Sequence, residues 1–283
     1  MSQFSTLQHE ADGLSAGLPP LMVEADHLAA SVSLGVHGRR RAGMGESFWQ
    51  FRRYASHDSS AAIDWRQSAK SQHIFVRERE WEAAQTVWFW RDASENMSFK
   101  SGAVSKRARA DLLLLALASL LVRGGERVGF TGMEGAPASS RLALTRMGRA
   151  MFSSGGAALP PHVPFARGNQ LVWFSDFLDE GVWGRMRQLS QAGVSGHLVR
   201  IIDPAEEDFP YTGRIRFESP RGEADEIFGR AERIRSAYRA RFTAHGEEVL
   251  AQATRLGWTC TVHRTDHAPQ GSLIALHAAI GGV

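Results

Sequence analysis

Short apolar segments alternate with helix-length segments through most of this sequence. Runs that are typical of buried strands lie at residues 86–90, 127–131, 170–174, 196–202 and 258–263. The segment at residues 106–123 has the length of a helix and is apolar almost all round, so it is expected to be well buried. This alternation predicts an α/β fold with a doubly wound, mostly parallel sheet that helices cover on both faces.

Further helices are expected around these strands, together with one short strand at an edge of the sheet. The helices are expected at residues 19–30, 142–152, 179–193, 225–256 and 272–280, and the edge strand at 214–218. The residues before about 84 follow a different rhythm, with strands expected at 48–54 and within 61–82. We therefore divide the chain into a flexible leader at 1–18, an accessory segment at 19–83 that packs on the sheet, and a main domain at 84–283.

The charge of the chain is mildly basic and is carried almost entirely by arginine. The 283 residues have a formal net charge of +3 at pH 7 and a pI near 9.4. The only lysines are Lys70, Lys100 and Lys106. Arginine favours planar contacts with carboxylates and phosphates. A general coding bias toward arginine explains the same composition, however, so nucleic acid is not a favoured partner.

Cysteine content and hydropathy bear on where the protein works. Cys260 is the only cysteine, which excludes an internal disulfide and a four-cysteine zinc site. The longest apolar run, residues 112–122, is about half as long as a membrane-spanning helix. The N-terminal residues lack the basic and then apolar layout of a signal peptide. We therefore expect a cytoplasmic protein without a membrane span.

Polar side chains follow two of the expected strands directly. Asp92, Ser94 and Asn96 come after the first strand of the main domain, and Asp176 comes after the strand at 170–174. Ligands of doubly wound sheets bind beyond the carboxyl ends of the strands, so these side chains converge if the two strands are neighbours. Carboxylate and hydroxyl oxygens suit Mg²⁺ that keeps some of its waters. The alternative is that Asp92 and Ser94 only cap the helix that follows.

A set of short motifs in a fixed order resembles one bacterial protein family. The motifs are Gly43-Met-Gly-Glu-Ser-Phe48, Arg53-Tyr54, Asp58, Ile63-Asp-Trp65, Asp92-Ala-Ser94, Arg127-Val-Gly129, Ser175-Asp-Phe-Leu-Asp179 and Asp203-Pro204. From about Leu18 to its end the chain resembles the domain of unknown function 58 family, a branch of the von Willebrand factor A-like proteins. The resemblance implies a von Willebrand factor A-like sheet.

The same resemblance implies a metal-adhesion site at the rim. Its ligands would be Asp92, Ser94, Asn96 and Asp176, and its metal would be Mg²⁺. The usual first motif of the family is Asp-x-Ser-x-Ser, and this sequence has Asn96 at the third position. The separate threonine of full metal-adhesion sites has two candidates here, Thr131 and Thr145.

The resemblance also bears on partners. Members of the family are often encoded with MoxR-type AAA+ ATPases, so the expected partners are such an ATPase and the client proteins that it helps to assemble. The candidate partner-binding residues are Arg53, Asp58 and Asp64. The alternative is that Asp58 or Asp64 pairs with a nearby arginine and only positions the chain.

Motifs of common catalytic sites are missing from the sequence. It has no Gly-x-x-x-x-Gly-Lys phosphate loop, no Gly-x-Ser-x-Gly elbow and no His-Glu-x-x-His. We therefore expect a non-enzymatic adaptor that binds other proteins, with a possible requirement for Mg²⁺. Two alternatives stay open, which are a metal-assisted phosphoester hydrolase that uses the same acidic rim and a metal-free structural scaffold.

Overall fold

The computed structural model describes residues 18–33, 48–55, 63–79, 84–153, 155–218 and 225–281. They fall into two compact units. The larger unit is divided between Met1–Gly35 and Gln85–Val283, and the smaller one lies within Val36–Ala84. Residues 1–17 of the expected leader, the motif residues 43–47 and Asp58 lie outside the described residues.

The expected accessory segment at 19–83 covers parts of both units. Its first element, helix α1 at residues 18–33, clusters with the larger unit. The smaller unit pairs strands β1 (Phe48–Arg53) and β2 (Phe75–Arg79) in antiparallel fashion, and helix α2 (Trp65–Ser68) lies between them in sequence. Its packing on the sheet of the larger unit stays a prediction.

The larger unit carries a five-stranded sheet with helices around it. Its strands are β3 (Thr86–Arg91), β4 (Arg127–Phe130), β5 (Gln170–Ser175), β6 (Ser195–Ile202) and β9 (Thr259–Arg264). Its helices after α1 are α3 (Lys106–Arg123), α4 (Arg141–Phe152), α5 (Val182–Gln191), α6 (Pro204–Asp208), α7 (Arg235–Arg255) and α8 (Pro269–Ile280). The strand order is β4-β3-β5-β6-β9, and every pairing in this sheet is parallel. The predicted α/β fold with a parallel sheet is confirmed.

Helix α3 forms the centre of the core, as its sequence predicts. Its residues from Ala110 to Leu121 are all buried, and it contacts α4, α8 and the neighbouring strands. A helix that is apolar all round needs protein on every side, and this one meets that need by lying between the sheet and two other helices. None of the described helices is both long enough and apolar enough to cross a membrane.

The prediction of one helix over residues 225–256 is wrong at its N-terminal end. Strand β8 (Glu226–Phe228) and a 3-10 turn at Ala231–Arg233 precede α7, and β8 pairs with β7 (Ile215–Phe217) in a separate two-stranded sheet. Aromatic packing accounts for the difference, because the rings of Phe217 and Phe228 meet edge-on at 5.8 Å and such pairs stabilise a two-stranded ribbon. The expected edge strand at 214–218 therefore belongs to this ribbon and not to the main sheet.

Candidate functional site

The carboxyl ends of β3 and β5 meet at one edge of the sheet. The two strands are direct neighbours, with Arg91 paired to Phe174, and the Asp92 amide donates to the Phe174 carbonyl at 2.8 Å. Asp92 and Asp176, which follow these strands, therefore lie at the same edge and are both buried. We call this edge the rim.

Both oxygens of the Asp92 carboxylate are engaged by the chain itself. Oδ1 accepts from the Ser94 amide at 2.8 Å, and Oδ2 accepts from the Ser175 hydroxyl at 2.6 Å. Ser175 Oγ also accepts from the Phe177 amide at 2.9 Å, so this hydroxyl is fixed on both sides. Burial raises the pKa of Asp92 and the charge of Asp176 adds to the effect, although the Ser175 hydrogen bond opposes it.

Ser94 and Asn96 lie at the start of a short 3-10 helix, Glu95–Ser98. Ser94 is its N-terminal cap by position, but no cap hydrogen bond comes from its side chain. The long helix α3 is capped elsewhere, by the Ser105 hydroxyl, which accepts from the Ala108 amide at 3.1 Å. The alternative was that Asp92 and Ser94 cap the following helix. In place of such a cap, the Asp92 carboxylate accepts a hydrogen bond from the nearby Ser94 amide.

A lysine holds the second rim carboxylate. Lys106 Nζ lies 2.9 Å from Asp176 Oδ2 and 2.5 Å from Glu206 Oε1. The lysine side chain is completely buried, Asp176 is 5% exposed and Glu206 is 17% exposed. Burial alone would lower the pKa of Lys106, but the charges of Asp176 and Glu206 outweigh it and raise the pKa above its usual value. We call these three residues the rim triad.

The position of Lys106 in its helix makes these contacts necessary. It is the first residue of α3, where the helix dipole and the free amides disfavour a positive charge. Two carboxylates offset this cost and the cost of taking the ammonium out of water. Asp176 also accepts from the Leu178 amide at 3.1 Å through Oδ1, so both of its oxygens are engaged.

The third strand end at the rim is organised by Asp203. It follows β6, is completely buried and caps α6 in a capping box with Glu206. Its carboxylate also accepts hydrogen bonds from the amide and the hydroxyl of Ser101. The capping box thereby orients Glu206, because one of its oxygens accepts from the Asp203 amide at 2.9 Å while the other contacts Lys106.

The predicted magnesium ligands can be tested for fit against this geometry. Mg²⁺ needs near-octahedral oxygen ligands, usually one or two carboxylates and several waters. Here the Lys106 ammonium contacts Asp176 Oδ2, one of the oxygens that such an ion would need, and its charge repels a divalent cation. As arranged, Asp92, Ser94, Asn96 and Asp176 do not fit a Mg²⁺ ion. Binding of Mg²⁺ stays a prediction for experiment to decide.

Two further observations bear on a metal. In the described part of the chain, no group of three or more His, Cys, Asp or Glu side chains is placed to hold a metal ion. The hydroxyl of Thr131, which directly follows β4, is buried without a hydrogen-bond partner, and that of Thr145 donates to the Arg141 carbonyl at 3.4 Å. Among the residues that the structure describes, no hydrogen bond joins either threonine to Asp92.

The candidate partner-binding residues belong to the smaller unit. Arg53 ends β1 and is exposed, and the Asp64 carboxylate caps α2 by accepting from the Gln67 amide at 2.9 Å. Asp58 lies outside the described residues. Asp64 thus has a local structural task, and a role of these residues in partner binding stays a prediction.

Sequence reasoning missed Lys106 and Glu206 as members of the rim. One signal for Lys106 was available, since it is one of only three lysines in an arginine-rich chain and is the first residue of a largely apolar helix. The signal for Glu206 was the sequence Asp203-Pro-Ala-Glu206, which has the spacing of a capping box with proline at its first helical position. No pattern along the chain shows that the two side chains meet.

Comparison with known proteins identifies the family. No curated protein matches the sequence. Two solved structures are similar at low identity. One is conserved hypothetical protein BatB from Bacteroides thetaiotaomicron, with 14% identity over 70% of this chain and 98% of that chain and a TM-score of 0.39. The other is an aerotolerance-related membrane protein from Bacteroides fragilis NCTC 9343 with multiple mutations to serines, with 16% identity over 71% and 100% and a TM-score of 0.38.

Similarity at this level supports no conclusion about function. The family described as "Protein of unknown function DUF58" matches residues 50–248, which is well over half of the sequence. The chain therefore belongs to the DUF58 family.

Proposed function

We propose that the chain is a non-enzymatic interaction module that binds a partner protein at the rim. One observation carries this proposal. The polar groups of the rim are held by other groups of the chain, while two large apolar side chains of the same edge, Phe99 and Leu178, are 39% and 49% exposed. Exposed apolar groups around engaged polar groups support binding of a partner and not catalysis.

The engagement of the carboxylates argues against acid–base chemistry. Asp92, Asp176 and Asp203 each accept at least two hydrogen bonds from the chain. A general base must reach the proton that it abstracts, and a hydroxyl nucleophile needs such a base beside it. The Ser175 hydroxyl is buried and donates to Asp92 while it accepts from an amide, so it is a structural group.

The apolar side chains supply the anchors that an interface needs. Phe99 lies just after the 3-10 helix that follows β3, and Leu178 lies two residues after Asp176. They therefore come from the loops of two neighbouring strands. Interfaces draw most of their free energy from a few apolar or aromatic anchors around which charged groups fix the orientation. Exposed charged groups next to these anchors are Lys100 beside Phe99 and Glu180 near Leu178.

In this proposal the rim needs no bound metal. The ammonium of Lys106 provides a positive charge between Asp176, one of the predicted Mg²⁺ ligands, and Glu206. The partner is a MoxR-type AAA+ ATPase in the cytoplasm, or a client protein that this ATPase helps to assemble. That identity rests on the family resemblance alone.

The test measures the affinity of the purified chain for a purified MoxR-type ATPase from the same organism by biolayer interferometry. Leu178→Asp places a charge at the exposed anchor and should weaken binding at least about tenfold. Val23→Asp is the matched control, because Val23 is 56% exposed on α1 and Asp26 of that helix contacts Ser119 and Arg123 at the far end of α3. This control should bind as the unchanged chain does.

Two outcomes would contradict the proposal. Equal affinity of the Leu178→Asp variant and the unchanged chain would remove the rim from the interface. Hydrolysis of p-nitrophenyl phosphate that Asp176→Ala abolishes would replace the interaction module by the hydrolase. Binding that is the same with Mg²⁺ and with chelator is the expected result for a rim whose cation is Lys106.

A further inference from the structure

A buried arginine between β6 and α7 has too few partners. Arg200 lies on β6 and is 6% exposed. Its Nε has no hydrogen-bond partner, and its Nη2 donates only a long hydrogen bond, 3.5 Å, to the Phe242 carbonyl. Its guanidinium carbon lies 4.5 Å from the centre of the Phe242 ring. A buried charge is costly unless it is paired and fully hydrogen-bonded. In the described part of the chain, no carboxylate forms a salt bridge with the Arg200 guanidinium.

Helix α7, which faces Arg200, makes room for the guanidinium with a glycine that is unfavourable for the helix itself. Gly246 lies inside α7, where glycine is less favourable than any residue except proline. A Cβ at Gly246 would lie 2.4 Å from Arg200 Nη1. The glycine therefore provides the notch into which the end of the arginine fits. An unpaired charge and a helix glycine that accommodates it both lower stability, and such local conflicts are characteristic of functional sites.

The guanidinium faces open space. A cavity of about 400 Å³ is lined by Arg200 together with Tyr238 and His245 of α7 and the apolar side chains of Leu178 and Ile202. A second cavity, of about 680 Å³, shares Arg200, Ile202 and Phe242 as walls. Both volumes are within the size range of small-molecule sites, and the smaller cavity is the one that Asp176 and Glu206 of the rim also line. We call it the Arg200 pocket.

The charges around the pocket select the ligand. The cations Arg200 and Arg241 and the carboxylates Asp176 and Glu206 line it, and the Lys106 ammonium contacts both carboxylates. One net positive charge remains, which a monoanion neutralises. A phosphate dianion would face both carboxylates with excess negative charge. A guanidinium binds a carboxylate through two parallel hydrogen bonds, and the apolar walls suit an apolar body behind that carboxylate.

We propose that the Arg200 pocket binds a carboxylate attached to an apolar body, with the Arg200 guanidinium as its anion receptor. Such a group comes from a free organic acid or from the C-terminal residue of a polypeptide. The inference does not depend on the partner proposed above. His245 is already hydrogen-bonded through Nε2 to the Asp176 carbonyl, 3.3 Å away. A ligand in the pocket would therefore also affect the rim at Asp176.

The test uses isothermal titration calorimetry on the full chain with two pairs of probes. The first pair is 3-phenylpropionate and 3-phenylpropanamide, and the second is N-acetyl-Leu-Phe with a free or an amidated C-terminus. An acid should bind at least about tenfold more tightly than its amide. Binding of the free acid alone or of the peptide acid alone supports the pocket and identifies the source of the carboxylate.

Three variants make the test specific. Arg200→Met removes the receptor, and Gly246→Ala displaces the flexible end of Arg200 without removing a buried side chain, so it stays informative if Arg200→Met fails to fold. Both should weaken acid binding at least about tenfold. Gly271→Ala, inside α8, is the matched control because its Cβ would meet nothing within 4 Å. Equal binding of acid and amide, no binding of either acid up to about 10 mM, or wild-type affinity in Gly246→Ala would overturn the proposal.

Discussion

Replacement of Lys106 by methionine tests the energetic role of the rim triad. Methionine has nearly the same length and keeps the packing of this fully buried position, so the change removes mainly the charge. Asp176 is 5% exposed and is left without its cation, whereas Glu206, at 17%, has partial access to water. Removing one partner of a buried ion pair costs about 3–5 kcal/mol of unfolding free energy. We expect a loss in that range for Lys106→Met in urea denaturation.

A double-mutant cycle separates the ion pair from other effects. Asp176→Asn removes the stranded charge and keeps an oxygen that accepts from the Leu178 amide. The double variant should therefore be less destabilised than the sum of the two single variants by at least about 1 kcal/mol. Lys100→Met is the control, since Lys100 is exposed and should change stability by less than about 0.5 kcal/mol. A loss below about 1 kcal/mol in Lys106→Met would refute the reasoning, because the pair would then behave like one at the surface.

Three further predictions concern the frame that holds the rim. Burial lowers the pKa of His197 to about 4 from 6.5, so the unfolded chain takes up a proton in this window that the folded chain does not. The free energy of unfolding should then fall by up to roughly 3 kcal/mol from this group as the pH drops from 6.5 to 4. If the urea midpoints of His197→Gln depend on pH as steeply as those of the unchanged chain, this prediction is wrong. Gly196→Ala should lower the free energy of unfolding by about 1–3 kcal/mol, because its Cβ would lie 2.1 Å from the Trp258 ring. The Cβ of Gly184→Ala would meet nothing within 4 Å, so this variant should gain up to about 1 kcal/mol. Equal urea midpoints of the two variants would count against this packing. Asp203→Ala removes the cap of α6 and should lower the free energy of unfolding by about 2 kcal/mol. Asp203→Asn should recover part of this loss. Identical denaturation curves for the two variants would contradict a role of the cap.

The order of strands and helices was readable because apolar periodicity carries it. The bounds expected for α3, residues 106–123, agree with those observed, because a largely apolar segment bounded by Ser105 and Gly124 has strong start and stop signals. The helix expected over 225–256 is wrong at its start, because the pairing of β8 with β7 depends on a contact between Phe228 and Phe217 that periodicity does not reveal. Long-range pairing overrides local propensity there.

The candidate site was only partly predictable for a similar reason. Strand-end position places Asp92 and Asp176 at one edge of a parallel sheet, and the adjacency of β3 and β5 brings them together. The group that contacts Asp176 comes from Lys106, 70 residues away in the sequence. Neither spacing nor composition encodes such a contact. Arg200 escaped notice because one arginine within an apolar strand looks like any other until its missing partners are known.

We propose that Lys106, and not Mg²⁺, is the cation of the rim. Titration of Mg²⁺ into the purified chain by calorimetry tests it most directly, with Asp92→Asn as the reference. We expect no saturable binding up to about 10 mM and identical traces for the two proteins, because the ammonium already lies 2.9 Å from Asp176. One-to-one binding with a dissociation constant below about 1 mM that Asp92→Asn abolishes would contradict it.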